Sequence, residues 1–331
     1  MNDSSPLVKI CLLVIAVVVG GAGLVYAKSV LIPFAIALLI TYILLPLASY
    51  QEARLKFPRG LAVSSTLVLA LVLLMGLGVL ITTNIAGMAE NFQGYVARFS
   101  SVQENVTGLL LKLGFDSLEL PKFDLMKSLK PALGYVTRFS KALLDLVADS
   151  FLIMIFVIFL MSGKQLTFPK TQFFTEADGK IRLYLLTKVA TSLVTGIVTG
   201  ATLGVLGIDL AFLFGFLAFC LNFIPTVGSI VAVFIPVPVI VVSASSYFVA
   251  VLAFSIPAVA QFFIGNILEP KIMGDNLDLH PVTLLLALMF WGLLWGIPGM
   301  LLAAPITVIL KVALSGTGKG RIVSELMAGR I

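Results

Sequence analysis

The chain has 331 residues, of which 60% are hydrophobic and 11% are charged. A soluble domain averages about half apolar and about a quarter charged residues, so no soluble core could bury this much apolar surface. Twenty-two basic residues against sixteen acidic ones give a net charge of +6. The basic residues lie mostly in short loops and at the ends, which indicates membrane topology and not a nucleic-acid interface. Composition therefore predicts a polytopic membrane protein and argues against a soluble enzyme.

Apolar runs follow one another along almost the whole chain. Nine are visible, at residues 10–26, 30–50, 61–82, 146–161, 189–206, 210–224, 227–242, 248–267 and 282–312. A helix needs about twenty apolar residues to cross the hydrocarbon core, and several runs are shorter or are interrupted by Pro and Gly. We therefore expect an all-α transmembrane bundle of about eight spans, with re-entrant or broken helices near Ile224 and Ile297.

Basic residues in short loops predict the orientation, because positively charged loops stay in the cytoplasm. Three clusters alternate with the predicted hairpins: Arg54, Lys56 and Arg59; Lys164, Lys170, Lys180, Arg182 and Lys188; and Lys311, Lys319, Arg321 and Arg330. Both termini are therefore predicted to be cytoplasmic.

Four segments follow from this pattern: N-terminal transmembrane helices 1–3 in residues 1–83, an external amphipathic helical segment in 84–145, a transport core with broken helices in 146–315, and a cytoplasmic tail in 316–331. The external segment is the one long polar stretch. Its apolar residues recur at helical spacing, at Phe92, Tyr95, Val96, Phe99, Val102, Val106, Leu109, Leu110 and Leu113. This stripe packs either on its own bundle or against lipid or another subunit.

The sharpest interruption of an apolar run lies at residues 221–229. Pro225 has no N–H, which leaves the carbonyl of Leu221 without its helical donor, and Gly228 lets the chain turn. Polar side chains beside this freed backbone are those of Asn222, Thr226 and Ser229. Broken helices with such groups hold small polar substrates in many transporters. The alternative is a proline kink that neighbouring helices satisfy.

A second interruption, at residues 261–274, concentrates polar groups at the end of an apolar run. Gln261, Asn266, Glu269 and Lys271 occur there in quick succession. Ionisable residues at membrane depth are costly and are usually paired or functional. Glu269 either carries a proton or pairs with Lys271 at the interface, and Pro270 is expected to end the helix between them. A third interruption, at residues 291–299, is rich in Gly and Trp but carries no charge, which indicates a hinge or a close-packing site.

Motifs for enzymatic chemistry are missing from the sequence. The single histidine, His280, rules out a His-rich zinc site, and no phosphate-binding Gly-x-x-x-x-Gly-Lys-Ser/Thr loop occurs, so we expect no metal and no cofactor. An intramembrane serine protease would need Ser229 with His280, but the Gly-x-Ser-x-Gly pattern is absent. Because His280 precedes Pro281 at the head of an apolar run, it is expected to cap a helix or to lie at the interface.

Several of these motifs together resemble the signature of the autoinducer-2 exporter family of bacterial membrane proteins. They are residues 265–274, 290–292 and 299–305, with 221–229, 32–34 and 46–47. The resemblance implies a roughly eight-span inner-membrane protein that assembles as a homo-oligomer, described in the family as a pentamer. It also implies export of autoinducer-2, although other members are described as sodium/proton antiporters or permeases of unknown substrate. The family commonly reads Ile-Pro-Asn where this chain has Thr226.

Three hypotheses for function follow. The first is export of a small polar molecule, autoinducer-2 by the resemblance, by alternating access, with Glu269 and Lys271 gating or coupling. Its substrate-binding residues are Asn222, Pro225, Thr226, Gly228, Ser229, Gln261 and Asn266. The second is exchange of sodium or lithium for protons, with Glu269 or Asp209 carrying the ion. The third is a scaffold that moves no solute and recruits partners through the external stripe.

Overall fold

The protein is described here by a computed structural model that covers residues 6–90, 150–163, 172–273, 278–316 and 320–330, with seven helical positions between 94 and 108. All its regular elements in these ranges are helices. The apolar residues of the predicted external stripe lie outside the described residues, so its two interpretations stay open.

The helices in chain order are α1 (Pro6–Tyr26), α2 (Lys28–Leu55), α3 (Arg59–Glu90), α4 (Ser150–Ser162), α5 (Gln172–Val205), α6 (Ala211–Leu221), α7 (Val227–Phe234), α8 (Val237–Ser243), α9 (Tyr247–Phe263), α10 (Glu269–Met273), α11 (Pro281–Trp295), α12 (Ile297–Ser315) and α13 (Gly320–Ala328). A π-helical turn, Ile264–Leu268, joins α9 to α10.

Five described stretches are long and apolar enough to cross a membrane: Lys28–Leu55, Arg59–Asn84, Asp178–Val205, Tyr247–Ile272 and Ile297–Ser315. Four shorter apolar helices accompany them. The prediction of an all-α transmembrane bundle is confirmed in the described part of the chain, whereas the number of about eight spans stays a prediction.

The chain forms two compact units, each assembled from segments that are distant in sequence. The first unit contains Met1–Thr66, Asp149–Leu186 and Met273–Ile331, and the second contains Leu67–Ala148 and Thr187–Ile272. Helices α3 and α5 each contribute residues to both units.

Close packing of α5 against α6 organises the second unit. A Cβ at residue 215 would come within 2.7 Å of the Gly196 carbonyl oxygen and 2.9 Å of the Gly200 Cα. The two backbones can approach this closely because glycine has no side chain. Beyond this contact, Leu203, Ile208, Phe214 and Leu217 form a buried apolar cluster that fixes the far end of α5 against α6.

The second unit breaks its helix where the sequence predicts. Helix α6 ends at Leu221, and α7 begins at Val227. The Leu221 carbonyl accepts from the backbone N–H of Ile224 at 2.9 Å, which tightens the last turn. A Cβ on residue 228 would overlap that same carbonyl, so Gly228 is required for α7 to start this close to the end of α6.

The predicted end of the helix at Pro270 is wrong. The chain remains helical from α9 through the π turn into α10, and Pro270 lies in the first turn of α10. A proline in a first turn does not need to donate a hydrogen bond, so it does not break the helix there. In the π turn the backbone N–H of Glu269 donates to the Ile264 carbonyl, five residues earlier.

The first unit contains the apolar break between α11 and α12. Gly296 has a φ of 66°, and a Cβ on residue 299 would overlap the Trp291 carbonyl. The rings of Trp291 and Trp295 lie 5.0 Å apart, and Trp295 Nε1 donates to the Leu24 carbonyl at 3.1 Å. The uncharged third interruption is thus a close-packed helix break.

The C-terminal helix α13 is attached to the start of α11 in the first unit. The backbone N–H of His280 donates to the Met327 carbonyl at 2.8 Å, and the Thr283 hydroxyl donates to the same carbonyl at 3.1 Å. His280 Nδ1 accepts from the backbone N–H of Val282 at 3.3 Å. The predicted capping role of His280 is therefore confirmed.

Candidate functional site

A buried ion pair lies within the second unit. Lys188, on α5, is 5% exposed. Its Nζ lies 2.8 Å and 2.7 Å from the two carboxylate oxygens of Glu269, and it donates to the Asn222 carbonyl at 3.1 Å. These three contacts equal the three N–H donors of an ammonium group, so the lysine has no donor left for another partner.

The helix break supplies one of these acceptors. In an unbroken helix the Asn222 carbonyl would accept from the N–H of residue 226. Because α6 ends at Leu221, this carbonyl accepts from Lys188 instead. The carbonyl that binds a charged side chain is thus that of Asn222, whereas the carbonyl predicted to be free, that of Leu221, accepts from Ile224.

The π turn places Glu269 at the entrance of α10, with its carboxylate directed at α5 and the break. Besides the two contacts from Lys188, Glu269 Oε1 accepts from the Thr191 hydroxyl at 2.8 Å and from Asn222 Nδ2 at 3.3 Å. Single π turns inside α-helices are frequent at functional sites. The carboxylate is stabilised both by the charge of Lys188 and by hydrogen bonds from the neutral donors Thr191 and Asn222.

Asn222 connects the ion pair to the remaining polar residues. Its Nδ2 donates to Ser192 Oγ at 3.1 Å as well as to Glu269. Its Oδ1 accepts from Gln261 Nε2 at 2.8 Å and from Ser229 Oγ at 3.4 Å. The side-chain amide, 1% exposed, uses both donors and both lone pairs. This makes Asn222 the hub of a network that draws on α5, α6–α7 and α9–α10.

The structure brings some of the predicted site residues together. Asn222, Ser229, Gln261 and Glu269 belong to the network, while Pro225 and Gly228, both buried, form the break that positions Asn222.

The other predicted residues lie apart from the network. Thr226 is exposed and its hydroxyl donates to the Pro225 carbonyl at 2.7 Å. Asn266 is exposed and its amide donates to the Phe262 carbonyl at 3.0 Å. Lys271 is also exposed, and Glu269 pairs with Lys188 instead of Lys271.

Asp209, the other predicted ion carrier, is exposed too. Its carboxylate accepts from the Ser243 hydroxyl at 2.9 Å. Among the two acids named for ion exchange, only Glu269 is held inside a buried polar network.

Three members of the network come from α5 and were not predicted from the sequence: Lys188, Thr191 and Ser192. Lys188 was counted with the basic residues that predict topology. A signal was nevertheless present, because Lys188, Thr191, Ser192 and Thr195 recur at three and four residues in an otherwise apolar run. Polar residues at that spacing share one helix face and can meet a common partner.

The chemistry of this site is that of a buried polar network without net charge. The charges of Lys188 and Glu269 cancel, and each is stabilised by hydrogen bonds. Removing two charges from water costs several kcal/mol per ion, which the ion pair recovers only with good geometry. A polar network at that cost, in an apolar helical unit and at a helix break, indicates a place where polar solutes are handled.

A bundle of apolar helices that encloses such a network at a broken helix defines a multi-pass membrane transporter. The chain belongs to the AI-2E transporter family, whose pattern matches residues 12–317. It is similar to the AI-2 transport protein TqsA of Escherichia coli K12, with 30% identity over 97% of this chain and 95% of that protein.

Two other relatives are also named as putative transport proteins. A putative transport protein of Haemophilus influenzae is 28% identical over 96% of this chain and 95% of its own. The putative transport protein YhhT of Escherichia coli K12 is 25% identical over 90% and 88% respectively. Since the named relatives are transport proteins, this chain is a transporter and not an enzyme.

Proposed function

We propose that the protein exports a small polar molecule, autoinducer-2, across the bacterial inner membrane by alternating access. The observation that carries the proposal is the buried Lys188–Glu269–Asn222 network, which lies at a helix break inside a unit made of apolar helices. The name of the Escherichia coli relative supports the choice of substrate.

In this proposal Asn222, Ser229 and Gln261 form the polar wall of the binding site. Glu269 with Lys188 gates it, whereas the sequence predicts Lys271 as the partner of Glu269 in that role. Thr226, Asn266 and Lys271 are left outside the site because all three are exposed. In addition, the Thr226 hydroxyl and the Asn266 amide donate to nearby backbone carbonyls. The α6–α7 break and the π turn are the places where the backbone can rearrange, since neither is held by a complete α-helical hydrogen-bond ladder.

The test is autoinducer-2 efflux from liposomes that contain the purified protein, compared with liposomes that contain none. We expect efflux to require the protein, and Asn222→Ala to slow it by about tenfold or more, because the hub of a buried network is lost. Asn266→Ala is the matched control, since it removes an exposed amide from the same unit, and it should leave efflux unchanged. Protein-containing liposomes that release the signal no faster than empty ones would overturn the substrate assignment.

Exchange of sodium or lithium for protons is a second candidate, favoured by one observation. The Glu269 side chain is only 12% exposed and lies in a stretch long enough to span a membrane, as a carboxylate that carries ions would. Dye-quench exchange in everted vesicles tests it. Exchange that disappears in Glu269→Gln but survives in Glu325→Gln, an exposed acid in a surface pair with Arg321, would support this function. Exchange that survives Glu269→Gln excludes Glu269 as the carrier.

We further propose that both termini are cytoplasmic and that the protein assembles as a homo-oligomer, a pentamer by the family resemblance. The alternation of basic loops supports the orientation. Impermeant labelling of single cysteines placed near each terminus tests the orientation, and native mass spectrometry of the detergent-extracted protein tests the oligomer. A labelled terminus in intact cells, or a monomeric mass, would contradict the corresponding proposal.

A further inference from the structure

One face of α5 is lined with buried hydroxyl groups. Lys188, Thr191, Thr195 and Thr199 follow at spacings of three, four and four residues, so they share one side of the helix. All four are at most 5% exposed. The face begins at the Lys188–Glu269 ion pair and continues along α5 beyond it, within the second unit. A polar face buried this completely inside a potential membrane span needs partners for its hydroxyls.

Most of the network has no capacity for another partner. Lys188 uses its three donors, and the Asn222 amide uses its two donors and two lone pairs. The Glu269 carboxylate accepts from Lys188, Thr191 and Asn222. A solute that contacted these groups directly would first have to displace a bond that the protein already makes.

Two buried side-chain atoms of this region have unused capacity. They are Thr195 Oγ1 and Gln261 Oε1, which are shielded from solvent and have no hydrogen-bond partner among the residues that the structure describes. Thr195 is 3% exposed and Gln261 is 6% exposed. Buried polar atoms nearly always have a partner, so such exceptions indicate a water or a ligand.

One of the two side chains is bonded to the ion-pair network, and the other lies on the helix that supplies three of its members. Gln261 donates its Nε2 to Asn222 Oδ1 at 2.8 Å, which holds its amide at the hub. Thr195 lies about one turn along α5 from Thr191 and Ser192, about 4.5–6 Å along the axis, and these two residues bond Glu269 and Asn222.

The charges define the kind of solute. Lys188 and Glu269 neutralise each other, so an ionic solute would meet no free counter-charge. The free atoms are an amide oxygen, which accepts, and a hydroxyl, which donates and accepts. A hydroxyl group on a solute satisfies both.

We propose that Thr195 Oγ1 and Gln261 Oε1 are direct contacts of a bound uncharged solute that carries hydroxyl groups, and that the binding site extends from the ion pair along the hydroxyl face of α5. This inference rests on the proposed function, because it assigns the residues and the solute class of the same site. It adds Thr195, on α5, to a site recognised at the helix break.

The first experiment measures autoinducer-2 efflux from liposomes containing the full-length protein as a function of concentration. Thr195→Val removes the hydroxyl and keeps the shape, and we expect the half-saturation concentration to rise about tenfold, the equivalent of one lost hydrogen bond. Thr195→Ser should behave like wild type. Thr307→Val is the matched control, because the buried Thr307 hydroxyl donates to the Ala303 carbonyl of its own helix. An unchanged half-saturation concentration in Thr195→Val would overturn the inference while leaving export intact.

The second experiment measures equilibrium binding without flux. Purified wild-type protein is titrated with autoinducer-2, D-ribose and glycerol, and with ribose 5-phosphate as the charged counterpart of ribose. We expect at least one uncharged solute to bind, ribose 5-phosphate not to compete, and Thr195→Val to weaken binding about tenfold. Binding without flux would sink the proposed export but support this site. The inference fails if no uncharged solute binds, or if binding is the same in Thr195→Val because the two atoms hold only water.

Discussion

The two units each bury one lysine of a potential membrane span against an acid, and they do so with different surroundings. Lys188 and Lys311 are each 5% exposed, and each Nζ lies 2.7 Å from a carboxylate oxygen, of Glu269 and Asp278 respectively. Each ammonium also donates to a backbone carbonyl outside a regular helix, that of Asn222 and that of Asp278. The core of the arrangement is therefore the same in both units.

The difference lies in what completes each pair. Neutral side chains from several helices surround Lys188 and Glu269, and Gln261, which bonds Asn222, has an acceptor without a partner among the described residues. Around Lys311 and Asp278 the additional group is a second cation, Arg330, whose Nη2 lies 2.6 Å from Asp278 Oδ1.

Arg330 follows α13, so the acid in the first unit ties the C-terminal tail to α12. A buried ion pair alone does not define a site. Under the proposed function, the neutral side chains and the unused acceptor of Gln261 make the Lys188 pair a solute site, whereas the Lys311 pair attaches the tail.

The largest expected effect comes from breaking the pair in the second unit. Lys188→Met leaves the buried Glu269 carboxylate without its counter-ion, so we expect the free energy of unfolding to fall by about 3–5 kcal/mol. Unfolding in lipid bicelles by titration with SDS measures this change.

A double variant controls for that experiment. Lys188→Met combined with Glu269→Gln removes both charges, and it should regain much of the lost stability although it should not transport. If the double variant loses as much free energy of unfolding as the two single variants lose together, the broken ion pair is not the reason for the loss in Lys188→Met.

A smaller effect is expected from the corresponding change in the first unit. In Lys311→Met, Asp278 keeps Arg330 as a counter-ion and its side chain is 24% exposed. We therefore expect the free energy of unfolding to fall by about 1.5–3 kcal/mol, the range for one hydrogen bond to a charged group. Autoinducer-2 efflux should keep its wild-type half-saturation concentration. A specific loss of efflux in Lys311→Met would make the two pairs functionally equivalent and contradict the comparison.

The sequence is sufficient to predict the features that depend on local chemistry. Pro225 cannot donate and Gly228 carries no Cβ, and together they predict the break between α6 and α7, where Asn222 lies. His280 before Pro281 likewise predicts a cap. In each case the residues that determine the structure are near one another in the chain, so the pattern contains the information.

The partner of Glu269 could not be predicted in this way. Lys188 lies 81 residues before Glu269 in the chain, whereas Lys271 is two residues away, so local reasoning favours the wrong lysine. The π turn is similarly hidden, because it depends on a hydrogen-bond register and not on a composition. That turn also explains why Pro270 does not end the helix. The part of the site at the α6–α7 break can thus be predicted from the sequence. The Lys188–Glu269 pair cannot, because it depends on a tertiary contact.

The smallest effect on stability is expected from changing Arg330, the exposed second cation that contacts Asp278 in the first unit. Arg330 is 64% exposed, and an ion pair with that exposure contributes at most about 1 kcal/mol. Arg330→Gln should therefore leave the free energy of unfolding nearly unchanged, because Lys311 still neutralises Asp278. It should instead loosen α13, whose other attachments include the bonds from His280 and Thr283 to the Met327 carbonyl.

Limited trypsin digestion at Arg321 measures that loosening against global unfolding in the same samples. We expect faster cleavage at Arg321 in Arg330→Gln than in wild type, with both unfolding at the same SDS concentration. The matched control is Arg98→Gln, which changes an arginine outside the first unit and should leave cleavage at Arg321 as it is. Equal cleavage in Arg330→Gln and wild type would mean that α13 is held by its backbone contacts alone. Asp278 would then serve only to neutralise Lys311. The contrast between the two ion pairs would lie entirely in the unused hydrogen-bonding capacity near Lys188.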